Sequence, residues 1–492
     1  MGEPVFDSRG IGGQPWGLTT LFFTEMWERF SYYGMRSLLT LFMVAPMAEG
    51  GLGFGVRKAA LIYGTYTMSV YMLAIPGGFI ADNFLGARRS VLVGGIVIAL
   101  GHFTLALSNT GTFYAGLVLI AIGTGMLKPN VSSMVGSLYA AGDERRDAGF
   151  SIFYMGINIG AFLAPFACGL LAQDVNWHWG FAAAGIGMTI GLAQYVLGRG
   201  RIAHVGGAPA PGRRPWPTLL AVISATAVVL ALVLLSDLVE RLAWLRYGYI
   251  GVPLVAILWF GFRKDVTKKR IAAILVLFLA AMIFWAIYEQ TGSTIALFSE
   301  TLTDRHLPHA GVISAFGRTF SIGRSFPAAF FQSVNPAFIF LLAPLFAWLW
   351  VRMGSRQPSI PLKFVIGLGF VALSFLLMVP AARLTAQGLV SPWWIVGMFF
   401  LQTVGEMCLS PVGLSAMTKL SPGNLQGLML GVWFLASAFG NKLAGILAGN
   451  FTSTDAFALG HFFLVEAAWA GAATLILLSL VPWVKRLMGG VR

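Results

Sequence analysis

From about residue 16 to residue 484 the chain is a succession of apolar runs of ~20 residues or more, parted by short breaks rich in charge, glycine or proline. Runs of that length are the hydrocarbon thickness of a bilayer traversed at 1.5 Å per residue. Inside lipid no water bonds the backbone, so each run must close its N–H and C=O groups on itself, which only a helix does within one segment. The fold class follows: an all-α integral membrane protein. Composition agrees, because 57% of the 492 residues are hydrophobic and only 11% are Asp, Glu, Lys or Arg, against roughly 45–50% and about 25% in soluble chains.

The runs number about fourteen. Six lie at about 16–46, 58–81, 89–108, 113–137, 147–172 and 178–197. A polar stretch from Arg199 to Pro217, containing GGAPAPGRRP, reads as a linker. Two spans follow at about 217–237 and 246–262, then six at about 271–300, 328–351, 363–383, 391–419, 425–450 and 459–484. This six–two–six order predicts three regions: an N-terminal six-helix bundle over 1–198, a linker with two extra helices over 199–269, and a C-terminal six-helix bundle over 270–492. Two bundles around an insertion suggest alternate closure about a midplane site.

The formal charge of +14 invites a nucleic-acid reading, but the basic residues sit in the breaks between apolar runs, where cytoplasmic loops belong. With the N-terminus inside, twenty-one Lys and Arg fall on the side of both termini, eight opposite and four within spans. Both termini are therefore expected in the cytoplasm, with the chain in the cell (inner) membrane. Met1–Pro15 carries Glu3, Asp7 and Arg9 ahead of a span-length run, so no cleavable signal peptide is expected. The two cysteines, Cys168 and Cys408, lie inside apolar runs and offer neither a disulfide framework nor metal spacing.

Ionisable groups within spans cost ~2.5–3.5 kcal/mol each on insertion scales, which makes each a candidate functional residue. The first span holds the densest set, EMWERFSYYGMR from Glu25 to Arg36. With Glu25 at 0°, a helix places Glu28 near about −60°, Arg29 near +40°, Tyr32 near −20° and Arg36 near +20°. That polar stripe, with Tyr33 beside it, must line a cavity or another helix. A packing salt-bridge cluster is the bland alternative, yet packing seldom gathers so many costly groups. Other spans add Lys128 in GTGMLKPNVSS, Glu289 in FWAIYEQTGST and Glu406 in TVGEMCLSPVGLS, with Ser410 one turn on and Pro411 as an expected kink. Pro129, beside Lys128, is expected to free a backbone carbonyl. Asn158 and Asn335 are candidate hydrogen-bonding groups, with interhelical adhesion as their plainer role. Lys442 is expected to pair inside the second bundle and Glu466 to sit near the outer interface, both structurally.

Both signs are present: Arg29, Arg36 and Lys128 against Glu25, Glu28, Glu289 and Glu406. A zwitterion needs a cationic pocket for its carboxylate and an anionic one for its ammonium, whereas a simple ion needs one sign. Carboxylates in low-dielectric cavities also bind protons near neutral pH. Charge pattern alone supports a proton-coupled carrier of small zwitterions. A membrane peptidase would need a Ser/His, metal or paired-Asp site at depth, and none stands out; His102 is alone within a span. The chain is expected not to be an enzyme.

EMWERFSYYG resembles the E-x-x-E-R-F-x-Y-Y-G motif of the proton-dependent oligopeptide transporter family, within the major facilitator superfamily. FYMGINIGAFLAP, GGFIADNFLGARRS, GMLKPNVSS, FWAIYEQTGS, FQSVNPAF and GEMCLSPVGLS are similar to family segments in the expected order. The two central spans resemble those of bacterial members. The resemblance implies a symporter of di- and tripeptides, with nitrate or a drug-like solute as the alternative cargo. It implies that Glu25, Glu28, Arg29 and Glu289 couple protons. Arg36 and Lys128 would meet the peptide carboxylate, with Arg36 pairing Glu289; Glu406, Asn158 and Asn335 would receive the amino end. Tyr32, Tyr33, Tyr66, Ser410 and Trp433 would line the binding region. No cofactor beyond the coupling proton is implied, and the unit of function is expected to be a monomer in the bilayer.

Overall fold

The computed structural model describes residues 7–140, 143–208, 220, 224, 268–306, 312–315, 318–321, 325–420 and 426–489. Its earlier helices are α1 (Trp16–Val44), α2 (Val56–Met72), α3 (Ala74–Ile80), α4 (Ala87–Leu105), α5 (Thr110–Ser137), α6 (Arg145–Asp174) and α7 (Trp177–Leu197). The later ones are α8 (Lys268–Tyr288), α9 (Thr294–Thr301), α10 (Val334–Met353), α11 (Ile360–Leu384), α12 (Trp393–Leu420), α13 (Gln426–Ala448) and α14 (Ala456–Leu487). Ten helical stretches among the described residues are long and apolar enough to cross a membrane. Two more, α1 and α13, are of span length; in α1 the apolar run is interrupted by Glu25, Glu28, Arg29 and Arg36. The described residues thus hold twelve span-length rods; of the two central spans expected near 217–237 and 246–262 they include residues 220 and 224 alone.

Two rods are broken, each for a local reason. Pro76, in the first turn of α3, has no N–H to offer the Met72 carbonyl, and the 58–81 span divides at Leu73 into α2 and α3. The polar sequence Glu289–Gly292 forms a 3₁₀ turn that separates α8 from α9, and Ser293 leaves helical geometry altogether (φ −125°, ψ −85°). Starts are set by side-chain caps. Asn109 accepts from Gly111 N at 2.6 Å, Asn176 from Trp179 N at 3.1 Å, and Asp455 from Phe457 N at 2.8 Å, each supplying an acceptor for an orphan donor of a first turn. A short antiparallel hairpin, β1 (Val312–Ala315) with β2 (Arg318–Ser321), was not legible among the apolar runs.

The chain divides into two compact units, Met1–Gly53 with Ser69–Leu234 and Phe54–Met68 with Leu235–Arg492. The first part of α2 groups with the later residues.

In the first unit α1 is held by α6 and α7, and α4 by α5 and α7. α6 presents small residues every fourth position, Gly156, Gly160, Ala164 and Cys168, so that the α1 backbone comes into direct contact. Gly160 is the critical one. A methyl group there would collide with the Met26 carbonyl and lie 3.1 Å from the Arg29 Cβ. In the second unit α11 packs on α12 and α14, α8 on α13 and α14, and α10 on α12. The outer faces of both units are apolar: Leu100, Leu163 and Ile190 are exposed in one, Leu341, Trp469 and Leu475 in the other. Such surfaces suit acyl chains and not water.

Candidate functional site

The α1 stripe is buried. Glu25, Glu28 and Arg29 are 1%, 0% and 2% exposed, and Arg36 8%, values that require compensation inside the protein. The compensation is a forked guanidinium. Arg29 donates to Glu28 through Nη2 to Oε1 at 2.7 Å and through Nε to Oε2, while Nε also lies 3.3 Å from Glu25 Oε1. The Glu25–Arg29 pair is the i,i+4 contact that helical spacing predicts. Pairing of neighbours Glu28 and Arg29 is not, since consecutive side chains diverge by ~100°; the reach of arginine closes the gap. One cation therefore serves two carboxylates. Glu25 Oε2 is buried with no hydrogen-bond partner among the described residues.

Aromatic rings continue the arrangement along α1. The Arg29 guanidinium carbon lies 4.9 Å from the Tyr32 ring centre and 6.0 Å from that of Tyr33, and Arg36 lies 5.9 Å from Tyr33. The two tyrosines meet edge to face at 5.2 Å. Lys128 of α5 is half-buried, sits 4.6 Å over the Tyr71 ring and acts electrostatically on Glu25. Pro129 leaves the Gly125 carbonyl without its helical donor, and α3 answers this: Gly77 packs so closely on that oxygen that a Cβ would not fit. Asn130 Nδ2, beside it, bonds the Met126 carbonyl at 2.7 Å. The freed carbonyl is thus covered by glycine backbone. Asn158 is buried on α6 and donates to Tyr154 O, one turn back on its own helix, at 3.0 Å.

The second unit gathers a different set. Glu406 of α12, 9% exposed, accepts from Tyr288 Oη at 2.7 Å and from Asn335 Nδ2 at 3.0 Å, both on the same carboxylate oxygen. Asn335 also reaches Thr403 Oγ1 at 3.0 Å, one turn before Glu406. Glu289, buried, lies near enough to act electrostatically on Glu406. Ser410 is half-buried one turn further along α12, beside Pro411 within the same helix. Tyr66 is fully buried. Trp433 is buried too, packed on Gly413 and 6.1 Å from the Phe364 ring.

Sequence reasoning missed Tyr288, the phenol that orients Glu406, although it immediately precedes Glu289. Its partner is 118 residues away, and no local pattern carries that distance. Lys442 is fully buried and donates to Thr65 Oγ1 at 2.7 Å in the first part of α2. Glu466, expected near the outer interface, is 3% exposed and lies eleven residues beyond the Asp455 cap, ~16 Å along α14.

Helical rods clad in apolar side chains, with acids and bases buried at their middles, define a multi-pass membrane transporter. The model of the POT family matches residues 88–463. The chain is 39% identical to "Peptide transporter YePEPT" of Yersinia enterocolitica over 98% of this chain and 97% of that protein. It is 38% identical to the "Di-/tripeptide transporter" of Lactococcus lactis subsp. cremoris over 98% of each. A crystal structure of peptide transporter POT in complex with alafosfalin superposes with a TM-score of 0.87 at 40% identity, covering 98% of both chains. This chain belongs to the POT family.

Proposed function

We propose that the chain is a proton-coupled symporter that carries di- and tripeptides inward by alternating access. The observation that carries this reading is the buried trio on α1, two carboxylates sharing one guanidinium. A proton arriving at either acid changes the balance of that trio, and family membership supplies the context. The peptide transporters and the di-/tripeptide transporter among the relatives support the choice of cargo.

In this reading Glu25, Glu28, Arg29 and Glu289 couple protons, and Arg36 exchanges Glu289 for the peptide. Arg36 and Lys128 receive the carboxylate end. Glu406, oriented by Tyr288 and Asn335, receives the ammonium, assisted by Asn158. Tyr32, Tyr33, Tyr66, Ser410 and Trp433 shape the side-chain region. Each 1.4 kcal/mol of differential binding between outward and inward states shifts their populations about tenfold, so modest changes in charge pairing suffice to drive the cycle. The transporter resides in the cell (inner) membrane with both termini cytoplasmic, works as a monomer in the bilayer, and uses no cofactor other than the proton.

The test is uptake of labelled dialanine into proteoliposomes under an acidic and then an alkaline exterior. Acid-stimulated accumulation, inhibited by unlabelled di- and tripeptides and with intact peptide recovered inside, is the expected result. Uptake indifferent to both pH and competing peptides overturns the reading and points to another small solute, such as nitrate or a drug-like molecule.

A further inference from the structure

Glu466 plays no part in the scheme above, yet it is a carboxyl group buried to 3% exposure eleven residues past the Asp455 cap of α14. Its hydrogen-bond partner among the described residues is a neutral amide, Gln290 Nε2, at 3.3 Å from Oε2. Gln290 is itself fully buried and lies in the 3₁₀ turn Glu289–Gly292 that interrupts the rod between α8 and α9. Its other end, Oε1, accepts from Thr294 Oγ1 at 3.0 Å, and Thr294 is the first residue of α9. A chain of polar groups therefore runs from Glu466 through Gln290 into the far side of the break.

No basic group on the neighbouring elements pairs with Glu466 among the described residues. Arg383 of α11 lies against Gly460, nearly two turns from Glu466. Lys363, at the other end of α11, bonds Gln357 Oε1 at 3.0 Å. Lys268, Lys269 and Arg270 start α8 and Lys485 and Arg486 end α14; His461 is five residues before Glu466 on α14, and Glu300 of α9 bonds Arg305. Of the other titratable neighbours, Tyr288 donates to Glu406, and Glu289 adjoins Gln290 in the chain. No ion pair among the described residues reaches Glu466. A buried carboxylate without a cation is costly, and glutamine is the side chain suited to serve it in either protonation state, because it carries both a donor and an acceptor.

We infer that Glu466 is a proton-binding positioning residue, whose protonation reverses the hydrogen bonds through Gln290 to Thr294 and so resets the break beside Glu289. With Glu466 ionised, the bonds run as found: Thr294 donates to Gln290, and Gln290 donates to Glu466. When hydronium passes its proton to Glu466 and leaves as water, the new Glu466 hydroxyl donates to Gln290 Oε1. The amide turns over, giving up the Nε2 bond to the Ala286 carbonyl at 3.4 Å, so that Nε2 faces Thr294 Oγ1 and Thr294 becomes an acceptor. One O–H bond breaks on hydronium as one forms on Glu466, and no other covalent bond changes. The hinge of α8 and α9 thus carries a second proton-sensitive input, one residue from the coupling acid Glu289.

The inference rests on the proton-coupled reading, and one set of experiments separates the two. The full-length chain is reconstituted, and dialanine uptake is followed across a range of external pH alongside counterflow exchange. If the parent lacks acid stimulation, both fall. If the parent has it, Glu466→Gln, which keeps a hydrogen bond to Gln290 but cannot be ionised, is expected to reduce the acid-over-alkaline ratio about fivefold or more, in the usual range of coupling between sites, with counterflow intact. Thr294→Val is expected to flatten the profile in the same sense, and the double variant to go no further than Glu466→Gln alone. Thr294→Val carries the test if the Glu466 variant does not fold. Profiles of the foldable variants that superimpose on the parent overturn the inference while leaving the proposed function standing.

Discussion

Glu25 and Glu28 of the first unit and Glu406 and Glu466 of the second are satisfied in opposite ways. On α1, Glu25 and Glu28 share Arg29, so their counter-charge is part of the same helix turn. In the second unit Glu406 is held by a phenol and an amide, and Glu466 by an amide, with no ion pair among the described residues. The first arrangement is closed: any change of charge disturbs a pair already made. The second is open, with neutral donors fixing the carboxylate while leaving its charge for a visitor. Under the proposed function, an ammonium group or a proton would fill that vacancy of charge.

This contrast is broken or sharpened by substitution. The largest effect is expected for Arg29→Ala, which strands two buried carboxylates. Removing one partner of a buried pair costs about 3–5 kcal/mol, so thermal denaturation in detergent should show a severe loss of folded protein. Glu406→Gln should be mild by the same assay, because Gln still accepts from Tyr288. Its effect belongs to binding. Loss of a charged hydrogen bond of about 1.5–3 kcal/mol predicts a KM raised ~10–100-fold for peptides with a free amino terminus, and little change for N-acetylated ones. If Glu406→Gln destabilised the fold as much as Arg29→Ala, the open and closed distinction would fail.

The smallest effect is expected outside the membrane. Asp7 accepts from the Arg9 side chain at 2.9 Å and from Trp16 N, at the start of α1, at 2.9 Å. The Arg9 bond first, and the Trp16 bond second, hold its carboxyl at about 2, below the ordinary value. Stability from this contact is complete above the unfolded aspartate range and is lost only as pH falls through about 2. Asp7→Ala should therefore cost under ~1 kcal/mol for so solvated a cap and leave the pH profile of uptake unchanged. A shifted profile would mean that the α1 terminus, and not its buried trio, senses protons.

Much of this was legible in the sequence, and the boundary of legibility is physical. Span lengths and the burial of the α1 stripe follow from hydropathy and from 100° per residue, and both recur in the structure. Tertiary proximity does not follow. Nothing in EMWERF says that Arg29 grips its neighbour Glu28, because that contact depends on side-chain reach. Tyr288 and Gln290 gain their roles from helices 118 and 176 residues away. The break at Leu73 was readable in principle from Pro76 and was passed over because the apolar run continued through it.

The central claim is that the α1 carboxylates bind the coupling proton. Glu28→Gln tests it most directly, by comparing dialanine accumulation under an acidic exterior with counterflow exchange in the same proteoliposomes. The account predicts that accumulation falls to background while exchange persists. Uphill accumulation equal to that of the parent would remove Glu28 from coupling and contradict the account.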